Sequence, residues 1–314
     1  MSEMQSSSMK FRIGGLVLLT ALFLAREVYL RSDVELFLEE LDGNSTVVQI
    51  SRREAKRLDY FFRELIINNS FAYTLAGIKP VSMTSFRKSF SSISNYRLLL
   101  GCRAWEKFKH GFNNNKIQYW TEDNSWVEGS TLLVLADREQ FTQVINQNKQ
   151  DFEQILLSLC ADNLLERRPF FAKGLQKHDA LIGMVLGYGR ENSWLYYERF
   201  KNYFQWTLKQ KLDSSKNLAP IWGRGMIEQQ VRNLYFKSWT FRSWNIEDML
   251  LPSFVGDPDS AESRQLKQEY LATREKLIHY YKSKNFLEAT LSLYKNGPAI
   301  LHKVNDQATA QKAI

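Results

Sequence analysis

The sequence predicts a mainly α (α+β) fold: a helical body with one small antiparallel β-sheet, preceded by a single N-terminal apolar helix. Three patterns indicate this. Apolar residues recur at helical spacing along most of the chain, aromatic and β-branched residues cluster around one polar turn, and an uncharged run lies near the N-terminus. The chain is 44% apolar with 20 Phe, 14 Tyr and 8 Trp, which is typical of a folded core and excludes a disordered chain.

The N-terminal run Ile13–Ala25 contains no charged residue and follows Lys10 and Arg12. As a helix it would span about 20 Å, which is shorter than the roughly 30 Å hydrocarbon layer but typical of a signal-peptide core. Phe23 stands where cleavage of a signal peptide needs a small residue, and extending the helix to Leu30 gives about 27 Å. The run therefore fits both an export signal and an uncleaved membrane anchor.

Residues 1–31 are predicted to be a signal peptide or membrane anchor, and residues 32–314 a mainly helical globular body. Turn-forming residues make 256–260 the predicted joint if the body is divided. The anchor implies membrane contact through residues 13–30 and a protein that is membrane-anchored facing the periplasm, or exported. The alternative is a first helix buried in a soluble protein, because apolar runs of this length also occur in cores.

Capping and periodicity predict the helices of the body. Ser51 and Glu54 form a capping box at the start of a helix that runs to about Ile67. Asp33–Asp42 alternates acidic and apolar residues and is followed by a glycine, which predicts a short amphipathic helix. Further helices are predicted over residues 96–110, from the N-cap Asp137 to 159, over 261–282 and over 286–294.

The β-sheet is predicted from Lys116–Trp120, Trp126–Val127 and Thr131–Leu135, which are rich in aromatic and β-branched residues. A polar turn over residues 122–125 separates the first two runs. Upstream, residues 79–83 are predicted to be extended, because the residue before a proline disfavours the α region.

Residues 178–200 are predicted to form a helix-turn-helix hairpin in the structural sense. Its turn is Gly187-Tyr188-Gly189, and the second helix starts at Arg190. Gly183 and Gly187 lie four residues apart on one helix face, which favours close helix packing. Nucleotide binding is disfavoured because the third glycine and the preceding strand of a dinucleotide fingerprint are missing.

The predicted turn site consists of Gly187, Gly189, Arg190 and Asn192. These residues lie at the start of a helix, where backbone N–H groups can bind an anion. Two interpretations stay open: a ligand site, and a capped helix start that is exposed to solvent.

Three short blocks resemble those of a group of bacterial proteins. They are Lys79-Pro80-Val81-Ser82, the turn with its GYG-x-x-N pattern, and Leu251-Pro252-Ser253-Phe254-Val255. With them the chain resembles uncharacterised proteins of chlamydia-like intracellular bacteria, which carry similar KP, GYG-x-x-N and LP-x-F blocks in the same order. The resemblance covers about residues 50–290. It implies a bacterial envelope or host-facing setting and brings no activity or catalytic residues with it.

Most of the net charge of +8 lies in residues 200–244, which hold eight basic residues against two acidic ones. Aromatic residues alternate with them, a composition that suits anionic lipids, acidic glycans or nucleic acid. The alternative is that the rings are core and the basic side chains reach a solvated rim. The candidate residues for an anionic partner are Lys201, Lys209, Lys211, Arg224, Arg232, Lys237, Arg242, Trp206 and Trp239.

No catalytic residue, cofactor or metal site is predicted. The pair His178-Asp179 invites comparison with metal-dependent phosphohydrolases, but the other histidines have no paired spacing, so a helix-start cap and a surface imidazole are predicted instead. Phosphate-loop, nucleophile-elbow and zinc-protease motifs are missing from the sequence. Cys102 and Cys160 lack zinc-like spacing and are interpreted as ordinary thiols, although they could pair in an oxidising compartment.

The sequence favours a bacterial binding or structural protein that is membrane-tethered or exported and whose basic-aromatic surface binds an anionic lipid, glycan or protein. One alternative is an envelope hydrolase acting on a glycan or peptide, with Asp179, Glu191 and Glu198 as candidate acids. A second alternative is a nucleic-acid-binding protein, but the predicted export of this protein argues against that function.

Overall fold

The structure is a computed structural model that describes residues 20–301, apart from 43, 88–92, 113–114, 157–160, 199–200, 202–243, 253, 255 and 258. The fold is mainly helical with a smaller β component, which confirms the predicted class. The described residues form two small antiparallel sheets, where the sequence predicted one.

The helices account for most of the described chain. They are α1 (residues 20–31), α2 (Arg52–Asn68), α3 (Phe71–Leu75), α4 (Ile93–Phe108), α5 (Arg138–Gln147), α6 (Lys149–Leu156), α7 (Ala161–Leu164), α8 (Asp179–Val185), α9 (residues 190–198), α10 (Ala261–Lys282) and α11 (Phe286–Asn296). Two 3₁₀ turns, Lys109–Phe112 and Ile246–Asp248, and a π-helical turn, Phe170–Gly174, complete them.

The first sheet is a hairpin of β1 (Asp33–Glu39) and β2 (Ser45–Ser51). The helix predicted over Asp33–Asp42 is therefore wrong. Along β1 the side chains alternate between two environments, since Leu36 and Leu38 are buried while Phe37 is 54% exposed. A period of two of this kind is that of a strand with one buried face.

The second sheet contains β3 (Val81–Arg87), β4 (Ile117–Asp123) and β5 (Ser130–Asp137), in the order β3-β5-β4. The strands predicted near Lys116 and Thr131 are confirmed. Trp126–Val127, predicted to belong to the sheet, instead lies in the connection between β4 and β5. The extended stretch after Pro80 becomes a full edge strand.

Strand β5 is buried over its whole length and separates two hydrophobic cores. Leu133 and Leu135 face the first core, which α2, α3, α4, α10, α11 and the inner face of the hairpin complete. Leu132, Val134 and Ala136 face the second core, which contains side chains of α5, α6, α8 and the π-helical turn. The alternation of side chains along one strand thus supplies both cores.

The start of α2 confirms the predicted N-cap Ser51 and its pairing with Glu54. Ser51 Oγ accepts a hydrogen bond from the backbone N–H of Glu54 at 3.3 Å and donates to the Glu54 carboxylate at 3.0 Å. Further along, α2 packs closely on α4, because Gly101 of α4 lies against the side chain of Phe61.

Helix α1 exposes its apolar side chains. Leu22 and Phe23 are 58% exposed, Leu24 is 59% exposed and Val28 is 71% exposed, which contradicts the alternative of a buried first helix for these residues. Among the described residues, no helix is both long and apolar enough to cross a membrane. Residues 13–19 of the predicted apolar run lie outside the described residues.

We expect Gly101→Ala to destabilise the protein by about 1–2 kcal/mol. A β-carbon at position 101 would overlap Cβ of the fully buried Phe61, and overpacking of about 1–3 kcal/mol exceeds the helix-propensity gain of up to about 1 kcal/mol from glycine to alanine. Chemical denaturation measures the change. Gly111→Ala is the matched control, because a β-carbon there meets nothing within 4 Å; equal stability of the two variants would contradict the packing argument.

Candidate functional site at the Gly187 turn

The hairpin predicted over residues 178–200 is confirmed for its described part. Helix α8 ends before Gly187 and Gly189, both of which have positive φ, and α9 starts at Arg190. Gly183 lets the two helices approach closely, since a β-carbon there would lie 2.9 Å from Cβ of Ser193. Glycine is required at the turn because side chains on β-carbons disfavour positive φ.

The start of α9 binds an anionic group that belongs to the protein itself, the carboxylate of Glu262. The carboxylate of Glu262, in the first turn of α10, accepts hydrogen bonds from the backbone N–H of Arg190 at 2.8 Å and of Asn192 at 3.0 Å. A helix start carries a partial positive charge that favours an anion, and the Glu262 carboxylate supplies that anion. Glu262 occupies the position that the sequence left open for a ligand.

Arg190 and Asn192 come together at the turn, and both support its structure. Arg190 donates two hydrogen bonds to Asp151, at 2.6 and 3.0 Å, and this interaction raises the pKa of the guanidinium further. Asn192 is 1% exposed; its amide donates to the Tyr188 carbonyl at 3.1 Å and accepts from the Ser263 hydroxyl at 2.9 Å. Of the two open interpretations, these contacts favour a capped helix start over an open ligand site.

The three blocks that carry the sequence resemblance meet at this turn. A β-carbon built on Gly187 would lie 3.1 Å from Cδ of Pro80, and the ring of Tyr188 stacks on Phe254 with centroids 5.5 Å apart. Asn192 accepts a hydrogen bond from the backbone N–H of Asp257 at 3.2 Å. Segments that are far apart in sequence thus form one cluster.

Lys79 lies inside this cluster and is 3% exposed. Its Nζ donates to Ser70 Oγ at 3.0 Å and lies 5.4 Å from the ring centroid of Tyr188. Within the described residues it forms no salt bridge, and burial alone lowers its pKa from 10.5 to about 7. A buried amine without a carboxylate loses its proton readily because a low-dielectric site disfavours the charged form.

Ser70, the partner of Lys79, is half-buried and has an unusual backbone. Its φ is 35° and its ψ is 11°, in the left-handed region that side chains other than glycine rarely adopt. Its carbonyl accepts hydrogen bonds from Ser82 Oγ at 3.1 Å and from the backbone N–H of Tyr73 at 3.2 Å. Ser82 Oγ lies a further 2.7 Å from the hydroxyl of Thr74, so the left-handed residue is held from several sides.

The predicted basic-aromatic site lies almost wholly outside the described residues, which end at Lys201 and resume at Trp244. Lys201 lies over the ring of Tyr197, 5.8 Å from its centroid. The ring of Trp244 packs at 5.6 Å from that of Tyr60, with the guanidinium of Arg97 5.4 Å from the Trp244 centroid. The other candidate residues stay a prediction.

The imidazole of His178 is half-buried, where the sequence predicted a surface position. The ring stacks on Tyr197 at 4.5 Å, and burial lowers its pKa against the opposing effect of Asp179. His178 is the N-cap residue of α8, but its side chain makes no capping hydrogen bond. The candidate acids Glu191 and Glu198 are exposed, and the described residues contain no cluster suited to a metal ion.

Cys102 is buried, with its Sγ 3.1 Å from the hydroxyl of Tyr119. Burial raises the pKa of this thiol, as expected for an unreactive cysteine. Cys160 lies outside the described residues, so pairing of the two thiols stays untested.

Sequence reasoning missed Ser70, Lys79 and Glu262 as members of one site. Lys79 was noted for its neighbouring proline, but a lysine reveals its burial only through its neighbours in the fold. Glu262 is 72 residues from Arg190 in sequence. Its position as the second residue of a helix that begins at Ala261 indicated a helix start and nothing about contact with another helix.

Comparison of the chain with protein-family models, with curated proteins and with solved structures gives no match. The resemblance to proteins of chlamydia-like bacteria therefore stays a prediction.

We expect Glu262→Ala to lower the free energy of unfolding by about 1–3 kcal/mol, because two backbone N–H groups at the start of α9 lose a charged acceptor. Glu275→Ala removes an exposed carboxylate from the same helix and serves as the control, with an expected change within about 0.5 kcal/mol. Thermal and chemical denaturation of both variants measure the difference. Equal losses would mean that the bonds to Glu262 contribute nothing specific.

The burial of Lys79 predicts a pH dependence of stability. Below pH 7 the folded and unfolded chains both hold the proton, so the cost of burying the ammonium is constant. Between about pH 7 and 10.5 the unfolded chain binds the proton and the folded chain does not, so the unfolding free energy rises by up to about 1.4 kcal/mol per pH unit.

Lys79→Met removes this ionisation and isolates its contribution. The stability of the wild type relative to the variant should be flat below pH 7 and should increase above it. Denaturant unfolding of both proteins from pH 5 to 10 measures the difference. A difference that does not change with pH would show that Lys79 keeps its usual pKa.

Proposed function

We propose that this protein is tethered to a membrane by its N-terminal helix and that its body binds an anionic partner through the segment 200–244. The observation that carries the tether is the exposure of α1, whose apolar side chains Leu22, Phe23, Leu24 and Val28 find no cover in the body. Exposed apolar surface of this extent favours transfer out of water.

The end of α1 that is nearest the body suits a membrane interface. Arg53 forms an ion pair with Glu27, and the guanidinium of Arg52 lies 4.5 Å from the ring centroid of Tyr29. Tyrosine and arginine are favoured where an apolar helix leaves the hydrocarbon, because their apolar stems face lipid while their polar ends reach water. The same contacts fix α1 to the first turn of α2.

The anionic partner is proposed from charge and composition. Basic residues near an anionic membrane surface contribute about 1 kcal/mol each, and residues 200–244 hold eight of them among aromatic side chains. A tether would keep this segment close to the lipid headgroups. An anionic lipid is therefore the favoured partner, with an acidic glycan or protein as the other outcomes.

We expect Leu22→Lys to release the full-length chain from phosphatidylcholine vesicles. Leu22 lies near the centre of residues 13–30, where lysine in place of leucine costs about 3 kcal/mol, or roughly 100-fold in partitioning. Flotation of the purified chain with the vesicles measures the bound fraction. Leu250→Lys is the matched control, since Leu250 is an exposed leucine of the body.

The tether is wrong if the wild type does not float, or if both variants float as the wild type does.

Vesicles that contain phosphatidylglycerol test whether the partner is an anionic lipid. Binding to them should be stronger and should weaken with salt, and the double variant Lys209→Glu/Lys211→Glu should lose only this additional binding. Equal binding of neutral and anionic vesicles would exclude an anionic lipid as the partner.

A further inference from the structure

Ser70 and Lys79 form a hydroxyl–amine pair that the tether does not explain. Their Oγ and Nζ atoms are 3.0 Å apart, which is hydrogen-bonding distance. The amine is almost fully buried and the described residues supply it with no carboxylate, while the hydroxyl belongs to a half-buried residue. The hydroxyl of a half-buried serine thus lies against a deeply buried base, and an adjacent base is what activates serine in enzymes.

The backbone of Ser70 supports a functional role. A residue other than glycine in the left-handed region costs about 1–2 kcal/mol, and such strain persists where surrounding bonds hold it, as Ser82 and Tyr73 do here. Strained backbones of this kind cluster at active sites. The ring of Tyr188 lies beside Nζ, with its centroid 5.4 Å away, and Tyr270, whose hydroxyl donates to the Gly187 carbonyl at 2.8 Å, belongs to the same cluster.

We propose that Ser70 and Lys79 are a nucleophile and general base that hydrolyse an acyl ester or amide. The neutral Nζ of Lys79 accepts the proton of Ser70 Oγ as Oγ bonds to the carbonyl carbon, and the π electrons of the carbonyl move to its oxygen. The C=O bond then re-forms, the bond to the leaving alcohol or amine breaks, and the leaving group takes the proton from Lys79. Water repeats these steps on the acyl-serine, releases a carboxylic acid and restores both residues.

This activity goes beyond the proposed membrane tether and does not depend on it. The amine is suited to the task because burial lowers its pKa to about 7, so a large fraction is neutral at physiological pH. Neither residue belongs to a recognised catalytic sequence motif: they are nine positions apart, with Ser70 just before α3 and Lys79 in the connection between α3 and β3. Only the fold brings them together.

The experiment treats the full chain with an alkyl fluorophosphonate and locates the adduct by peptide mass spectrometry. Ser70 Oγ bonds to phosphorus, fluoride leaves, and the serine proton passes through Lys79 to solvent. We expect one adduct at Ser70 and a labelling rate that rises with pH around 7. Lys79→Met should lower the rate at least roughly 100-fold, which is the contribution of a general base.

Three further variants separate catalysis from structure. Ser70→Ala should abolish the adduct, and Ser283→Ala, which removes a hydroxyl that donates to the Tyr280 carbonyl at 2.9 Å, should leave it unchanged. Lys79→Arg keeps a positive charge but cannot accept a proton at these pH values, so it should be as slow as Lys79→Met. Circular dichroism confirms that each variant is folded.

Several results would contradict the proposed roles of Ser70 as nucleophile and Lys79 as general base. They are a folded wild type without an adduct at Ser70, an adduct on another serine alone, or a folded Lys79→Met that reacts at the wild-type rate. Labelling and vesicle flotation are independent measurements, so failure of one does not imply failure of the other.

Discussion

The burial of β5 on both faces is the constraint on which the arrangement of the molecule depends. A strand with two apolar faces must be covered on both sides, and the two cores provide that cover. Its last residue also fixes what lies beside it, because the backbone N–H of Asp137 donates to the Pro80 carbonyl at 2.8 Å. Lys79 is thereby held at the end of the sheet and beside the Gly187 turn. Its amine is buried there, and this burial is the cause of its lowered pKa.

Carboxylate side chains of this protein accept hydrogen bonds from backbone N–H groups at three helix starts. Glu262 binds the first N–H groups of α9, Asp137 accepts from the N–H of Gln140 at 3.0 Å at the start of α5, and the buried Glu122 accepts from the N–H of Phe170 at 2.7 Å. Each satisfies backbone donors that a helix start leaves unpaired. This is why the start of α9, an anion site by its electrostatics, is no free ligand site: a carboxylate from elsewhere in the sequence already fills it.

Local patterns predicted the features that depend on neighbours in sequence. The capping box at Ser51, the N-cap Asp137 and the turn at Gly187 each need only a few adjacent residues. The interpretation of Asp33–Asp42 was wrong because its period-two alternation is that of a strand with one buried face, and it overlooked the β-branched partner strand Ser45–Ser51. The pair of Ser70 and Lys79 could not be predicted, since the burial of the lysine depends on the Gly187 turn, which lies more than a hundred residues away.

Helix α2 lies between the proposed tether, α1, and the proposed catalytic pair, Ser70 and Lys79, and it separates them. Its first turn carries Arg52 and Arg53, which contact α1, and its last residue lies two positions before Ser70. Seventeen helical residues span about 25 Å, and the buried face of α2, including Phe61 and Phe62, packs in the first core, so the helix is a rigid spacer. Tethering and acyl transfer would therefore use opposite ends of one element. The reactivity of Ser70 should not depend on whether α1 is in lipid, and a substrate would approach at the end of the body that lies away from the tether.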